Sequence, residues 1–169
     1  VNKAFDNDKV GGDVLRTFKK VSKLLKKNSN ARDRILTHEE FTSLCEHSSR
    51  HIRETATTAY YTGMRKGEIL NLTWDKVDMK KRFINLLAED TKDREKRSIP
   101  ICDEVYSILK EIPRSLHDNH VFMFRGKPIS DIRTALKRAC EKSGILYGRN
   151  VKDGFTFHDL RHSFNTNMR

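Results

Sequence analysis

Two basic side chains near the end of the chain have the spacing of an anion-binding site. His158 and Arg161 lie three residues apart in the segment GFTFHDLRHSF. Thr156 and Asp159 stand in the positions of a capping box, which predicts that a helix begins here. His158 would then lie in the first turn, with Arg161 on the same face. Free N–H groups of a first helical turn favour anions, and an Arg beside a His could hold a phosphate and move a proton. The alternative is an ordinary surface salt bridge beside a hydrogen-bonded His.

Arg65 is a second candidate for anion binding. It lies between Gly63 and Gly67, and glycines allow the backbone and an Arg side chain to approach a ligand closely. Glu68 could orient Arg65 through a salt bridge. The alternative is a surface turn in which the Arg has no special role.

Lys92 is a third candidate, within a charged connection between two predicted strands. A mobile Lys at such a tip could reach into a substrate groove as a cation or proton donor. Charged hairpin tips are more often simply solvated. Lys96 lies in the same connection, so the choice between the two lysines stays open.

The elements that position these residues follow from hydrophobic spacing and capping signals. Helices are predicted from Thr37 to about His47, from His51 to Thr62, from Glu68 onward for a short stretch, and from Asp103, as the cap, to Ile112. Gly63 is expected to end the second helix in a left-handed conformation. Residues 82–87 and 96–101 read as strands, with Pro100 at a sheet edge or strand end. The fold class is therefore α+β, mainly helical, with a small antiparallel sheet of two to three strands.

Composition narrows the class of partner. The chain has 34 Lys and Arg against 23 Asp and Glu, a net charge of +11, which favours a polyanion such as nucleic acid or an acidic membrane face. Three widely spaced cysteines without a CxxC pair do not form a zinc framework and fit reduced thiols in the cytosol. His158 and His162 lack the glutamate of a zinc-protease motif, so no metal is expected. The sequence has no long apolar run, so it predicts neither a membrane span nor a secretory leader.

The ordered set of motifs resembles the catalytic domain of the tyrosine recombinases, the phage integrases and their relatives. The set is LTHEEF, TGMRKGEILNLTW, the TK of the hairpin, RSIPI and FTFHDLRHSF, and it runs over residues 36–168. The resemblance implies the recombinase catalytic-domain fold and site-specific DNA recombination or integration, with a covalent 3′-phosphotyrosine intermediate. It also implies double-stranded DNA as substrate, tetramers on DNA, an element of mobile DNA as the source, and a cytoplasmic, nucleoid-associated location.

Catalytic roles follow from the same resemblance. Arg65 and Arg161 match the two arginines that clamp the non-bridging oxygens of the scissile phosphate, and two guanidinium forks suit the charge of a phosphoryl transition state without a metal or cofactor. Lys92 matches the hairpin Lys that protonates the departing 5′-hydroxyl. His158 matches a general acid/base.

The resemblance also assigns two supporting residues and places the nucleophile outside the chain. Glu68 matches an acidic residue that supports Arg65, and His162 matches a structural His. The family places its nucleophilic Tyr after the HxxR helix, whereas Tyr60, Tyr61, Tyr106 and Tyr147 all precede that motif. We therefore expect a catalytic domain over residues 35–169 that is incomplete at its C-terminus, binds DNA and does not complete the reaction alone.

Two further interpretations follow from these expectations. Residues 1–34 are predicted to form a basic helix and linker, the end of a preceding core-binding domain or a connection to it. A non-catalytic DNA-binding relative of the recombinases is the alternative function. A metal-dependent nuclease is disfavoured because the sequence has no carboxylate cluster at metal-binding spacing.

Overall fold

A computed structural model describes residues 5–20 and 34–167 of the chain. The chain divides into two units at the boundary between Asp33 and Arg34. In the first unit, helix α1 spans Gly12–Lys20, inside the segment predicted to be a basic helix. The later part of that predicted helix, residues 21–25, lies outside the described residues. The assignment of this unit to a core-binding domain or linker stays a prediction.

The second unit is mainly helical and carries two small antiparallel sheets. Its helices are α2 (His38–Glu46), α3 (Arg50–Thr62), α4 (Lys66–Leu70), α5 (Asp103–Glu111), α6 (Arg133–Lys142) and α7 (Phe157–Asn167), with a 3-10 turn at Trp74–Lys76. Strands β1 (Val77–Asp78), β2 (Phe83–Leu86) and β3 (Arg97–Pro100) form one sheet in that order, and β4 (Met123–Phe124) pairs with β5 (Lys127–Pro128). The predicted α+β class is confirmed.

Helix α3 lies at the centre of the unit, where it packs against α2, α5 and α7. Its residues 55–60 are all buried, although three of them are threonines. The Thr55 and Thr58 hydroxyls each donate to a backbone carbonyl four residues earlier, at 2.9 Å. Because these hydroxyls are satisfied within the helix, a partly polar helix can be buried without orphaned donors. Helix α3 therefore delivers the turn that follows it, at Gly63, into the interior.

The three-stranded sheet fixes which residues of β3 face inward. Arg97 pairs with Leu86, and Ile99 pairs with Ile84. Leu86 and Ile84 are buried, and residues opposite one another in a ladder share a face of the sheet. Arg97 therefore enters the buried face at the base of the hairpin. Pro100 ends this edge strand, as predicted.

Helix caps agree with the sequence prediction in one case and differ in another. Glu40 N–H donates to the Thr37 hydroxyl at 3.2 Å, and Thr37 N–H donates to the Glu40 carboxylate at 3.0 Å, so the predicted capping box is confirmed. The prediction of Asp103 as a cap was wrong, since Asp103 is the first residue of α5 and Cys102 is the N-cap. The Asp103 carboxylate instead forms an ion pair with Arg82.

Candidate active site

The turn between α3 and α4 requires a glycine at its first position. Gly63 has φ of 62° and donates its N–H to Ala59 O at 3.0 Å, which ends α3 in the predicted left-handed conformation. A Cβ at this position would lie 2.4 Å from the Phe164 ring of α7. Gly67, by contrast, lies inside α4, and a Cβ there would meet no atom within 4 Å. Only Gly63 therefore has the close-approach role that the sequence assigned to both glycines.

Arg65 is held in this turn by Glu68. The Glu68 carboxylate accepts from Arg65 N–H at 2.7 Å and from Arg65 Nη1 at 3.1 Å. These bonds confirm the predicted Arg65–Glu68 salt bridge. They also start α4 at Lys66, two residues earlier than predicted, because Glu68 caps from the third helical position. The Glu68 side chain is only 3% exposed, so its geometry is fixed by its partners.

Arg161 reaches the same turn from α7. Its Nη1 donates to Gly63 O, which links residues 98 apart in the sequence. Burial lowers the pKa of Arg161, and the neighbouring cations Arg65 and Arg97 lower it further. An Arg nevertheless stays protonated in proteins. Arg65 and Arg161 therefore lie close together in a cationic site, where a bound anion would relieve the repulsion between them.

The start of α7 sets the direction of His158 and Arg161. Asp159 accepts from Thr156 N–H at 2.7 Å, which is the carboxylate half of the predicted capping box. The Thr156 hydroxyl donates to the same carboxylate at 2.9 Å, whereas the prediction had it accepting from the helix backbone. His158 is exposed in the first turn. His162 is half-buried, and its structural role stays a prediction.

The hairpin between β2 and β3 is anchored at one end and exposed at its tip. Buried Thr91 accepts from Glu95 N–H at 3.0 Å and donates to Glu95 O at 3.0 Å. Lys92 follows directly and is exposed, as is Lys96. The next residue, Asp93, places its carboxylate 2.5 Å from Arg65 Nη2. The hairpin tip therefore touches the arginine turn, through Asp93.

Two members of this site, Arg97 and Asp93, were missed as site residues from the sequence. Arg97 Nη2 donates to Glu68 Oε2, so one buried carboxylate serves two arginines. The alternation of Arg97 and Ile99 along β3, continued by Ile101 just after it, was a usable signal, since it puts the Arg on the buried face, where a charge needs a partner. Asp93 had no such signal, because nothing in a charged hairpin distinguishes one carboxylate from its neighbours.

Comparison with known proteins fits this arrangement. Residues 34–169 match the phage integrase family. The chain belongs to the phage integrase family. Its helices and sheet are those of the tyrosine recombinase catalytic domain, which confirms the resemblance drawn from the motifs. In structure it matches the integrase of the Tn1549 transposon, solved in complex with a circular intermediate DNA, with a TM-score of 0.68 and 18% identity, over 92% of this chain and 62% of that one.

Two curated relatives show how much of a family member is present. The chain is 32% identical over 143 residues to the shufflon-specific DNA recombinase of Escherichia coli, a match that takes in 80% of this chain and 33% of the relative. It is 25% identical over 151 residues to the integrase of Salmonella phage P22, with 80% of this chain and 36% of the relative covered. The chain thus spans about a third of the length of these relatives.

Within residues 5–20 and 34–167, no group of three or more His, Cys, Asp and Glu side chains is placed to hold a metal ion. None of the helices in those ranges is long and apolar enough to cross a membrane.

Proposed function

We propose that the protein is a site-specific DNA recombinase, and that residues 34–167 carry the phosphate-binding part of its active site. The observation that carries this proposal is the meeting of Arg65 and Arg161 at one turn, with Arg161 bonded to Gly63 O. A phosphoryl transition state spreads negative charge over its equatorial oxygens, and two guanidinium forks stabilise that charge without a metal. The family relatives named as a recombinase and an integrase support the same reaction class.

The proposed reaction cuts a DNA strand by transesterification. A Tyr hydroxyl oxygen attacks the scissile phosphorus while its proton passes to a general base. The attack forms a 3′-phosphotyrosine bond and releases the 5′-oxygen, which takes up a proton. Arg65 and Arg161 bind the two non-bridging oxygens, and Glu68 orients Arg65. The reverse attack by a 5′-hydroxyl rejoins the strands. We assign the nucleophile to none of the four tyrosines of the chain, in keeping with their order relative to the HDLRH motif.

Two side chains are proposed to move the protons. Lys92 would protonate the departing 5′-oxygen, supported by its place between Thr91, which is anchored in the hairpin, and Asp93, which reaches Arg65. His158 would assist as general acid/base from the exposed first turn of α7, where helical N–H groups favour a nearby anion. Lys96 is the alternative to Lys92, and the Lys92→Ala and Lys96→Ala variants separate the two through the rate of strand cleavage.

Double-stranded DNA is the proposed substrate, and a tetramer on two DNA sites is the proposed assembly. The protein would act in the cytoplasm on nucleoid DNA. The net charge of +11 on the chain supports DNA as the substrate. Binding of this chain to a duplex should weaken steeply with salt, because neutralising phosphates releases counterions. Salt-insensitive binding would contradict a basic DNA-binding surface.

The experiment that tests the proposal compares cleavage with binding. In the full-length protein, Arg65→Ala and Arg161→Ala should each abolish cleavage of a nicked suicide substrate, which traps the covalent protein–DNA link. Duplex affinity should fall far less, because the many other Lys and Arg side chains of the chain would still bind the phosphate backbone. Arg53→Ala, which removes an exposed guanidinium of α3, serves as the matched control and should cleave normally. Cleavage by either site variant at the wild-type rate would remove the assignment. A wild-type protein that binds DNA but traps no link would favour the non-catalytic relative.

A further inference from the structure

The carboxylate of Glu68 joins two arginines that come from different elements. Its oxygens accept from Arg65 N–H at 2.7 Å and Arg65 Nη1 at 3.1 Å. Arg97, on β3, donates its Nη2 to the same carboxylate. Because the Glu68 side chain is almost fully buried, water does not compete strongly for these bonds. The contact fixes the α4 turn against the base of the hairpin.

We propose that Arg97 is a positioning residue for the strand-transfer reaction, acting on Arg65 through Glu68. This inference rests on the proposed function. A buried carboxylate paired with Arg65 alone would offset most of the positive charge that Arg65 could offer a phosphate. Arg97 shares that carboxylate, so Arg65 keeps more of its charge for a ligand. Arg97 also holds Glu68 in the orientation that directs Arg65.

The electrostatics of Arg161 show that Arg97 belongs to the same local field. The charge of Arg97 acts on Arg161 in the same direction as that of Arg65, and both lower its pKa after the effect of burial. Two guanidiniums therefore bond the buried Glu68 carboxylate, and that of Arg161 lies within range of the charges of all three groups. The Nε of Arg97 is buried and bonds no other described residue, so this side chain is held mainly through its Nη2 bond to Glu68.

The position of Arg97 also couples the hairpin to the arginine turn. Arg97 is the first residue of β3 and lies five residues beyond Lys92. The strand pairs with β2 directly from Arg97, which lies opposite Leu86. The Arg97–Glu68 ion pair at this base therefore limits how far the hairpin can shift relative to Arg65. Small displacements of a catalytic group cost large factors in rate.

The test uses Arg97→Gln and Arg97→Lys in the full-length protein, with Arg94→Gln as the matched control. Arg94 is exposed on the same hairpin, so its variant removes the same charge without touching Glu68. We expect Arg97→Gln to slow single-turnover cleavage at saturating DNA roughly tenfold, with a change in duplex affinity no larger than that of Arg94→Gln. Arg97→Lys should recover part of the rate, because it keeps the charge but not the fork.

A double-mutant cycle separates positioning from general destabilisation. In the Glu68→Gln background, Arg97→Gln should slow cleavage little further, because its route to Arg65 is already lost. Thermal unfolding of each variant shows whether it is folded. Additive effects of the two substitutions, or an unchanged single-turnover rate in folded Arg97→Gln, would overturn the inference.

A second measurement does not depend on recombinase activity. In the NMR spectrum of side-chain Nε–Hε groups of this chain, the Arg65 resonance should shift in Arg97→Gln and stay in place in Arg94→Gln. An unmoved Arg65 resonance in Arg97→Gln overturns the positioning role whatever the protein does to DNA. A shifted resonance in a protein whose wild type never cleaves DNA supports the Arg97 coupling and rejects the proposed function.

Discussion

Asp93 occupies one end of the fork that is proposed to bind the scissile phosphate. Its carboxylate lies 2.5 Å from Arg65 Nη2, while the Glu68 carboxylate accepts a hydrogen bond from Arg65 Nη1. Because Asp93 holds one donor of Nη2, it competes with a phosphate for the bidentate fork of Arg65. The isosteric change Asp93→Asn should therefore strengthen the binding of DNA by this chain.

The size of this effect follows from the exposure of the pair. The Asp93 side chain is 55% exposed and that of Arg65 is 27% exposed, so the ion pair is screened by solvent. Such pairs contribute about 0.2–1 kcal/mol. Removing the competitor should then raise the affinity by about 1.4- to fivefold, since 1.4 kcal/mol is a factor of ten.

Fluorescence anisotropy with a labelled duplex measures the affinity, and Glu95→Gln is the matched control. Glu95 is exposed on the same hairpin, and its described bonds to Thr91 run through the backbone. Both substitutions change the net charge equally, so any long-range gain is common to them. The reasoning is refuted if the two variants bind equally tightly, because the gain would then come from net charge alone. In an Arg65→Ala background, the advantage of Asp93→Asn over Glu95→Gln should vanish.

Three stability predictions follow from the same structure. Gly63→Ala should lower the free energy of unfolding in urea by about 2–4 kcal/mol, because φ is 62° and an aromatic ring of α7 fills the space. Gly67→Ala, inside α4 with open space around it, should leave that free energy unchanged or raise it. Equal losses of stability in the two variants would contradict this. Ser163→Ala should cost about 1–3 kcal/mol, since its buried hydroxyl accepts a backbone N–H across the domain at 2.8 Å; a loss under about 0.5 kcal/mol would show that the N–H finds another partner. The hydrogen bond from Arg34 holds the pKa of Glu40 below its ordinary value. The contribution of this bond to stability is present above the pKa of the unfolded chain and is lost as the pH falls through the lower folded pKa. Between pH 6 and pH 3, the unfolding temperature of Glu40→Gln should therefore fall less than that of the wild type. An identical fall in the two proteins would refute the assignment.

Local signals predicted most of the fold. The capping box of Thr37 and Glu40 needs only four consecutive residues, and the left-handed end of α3 needs only Gly63. Both are confirmed, and the hydrogen bonds that form them join residues no more than four apart in the sequence. The cap assigned to Asp103 failed for the opposite reason. Its carboxylate pairs with Arg82, 21 residues away, and a distant ion pair leaves no local trace in the sequence.

The site was predictable in part. Arg65 and Glu68 lie three residues apart, so their bond follows from helical spacing. The meeting of Arg161 with the Gly63 turn depends on how α7 packs on α3, and only the family resemblance pointed to it. Asp93 was unpredictable, because its contact depends on the fold of the hairpin rather than on spacing.

Arg65 and Arg161 are proposed to bind one phosphate together. Titrating this chain with inorganic phosphate, while following its arginine Nε–Hε resonances by NMR, tests that claim most directly. The Arg65 and Arg161 resonances should shift with the same midpoint, and Arg65→Ala should abolish the response of Arg161, while the exposed Arg53 stays unaffected. Different midpoints for the two arginines, or an Arg161 response that survives Arg65→Ala, would contradict a shared phosphate site.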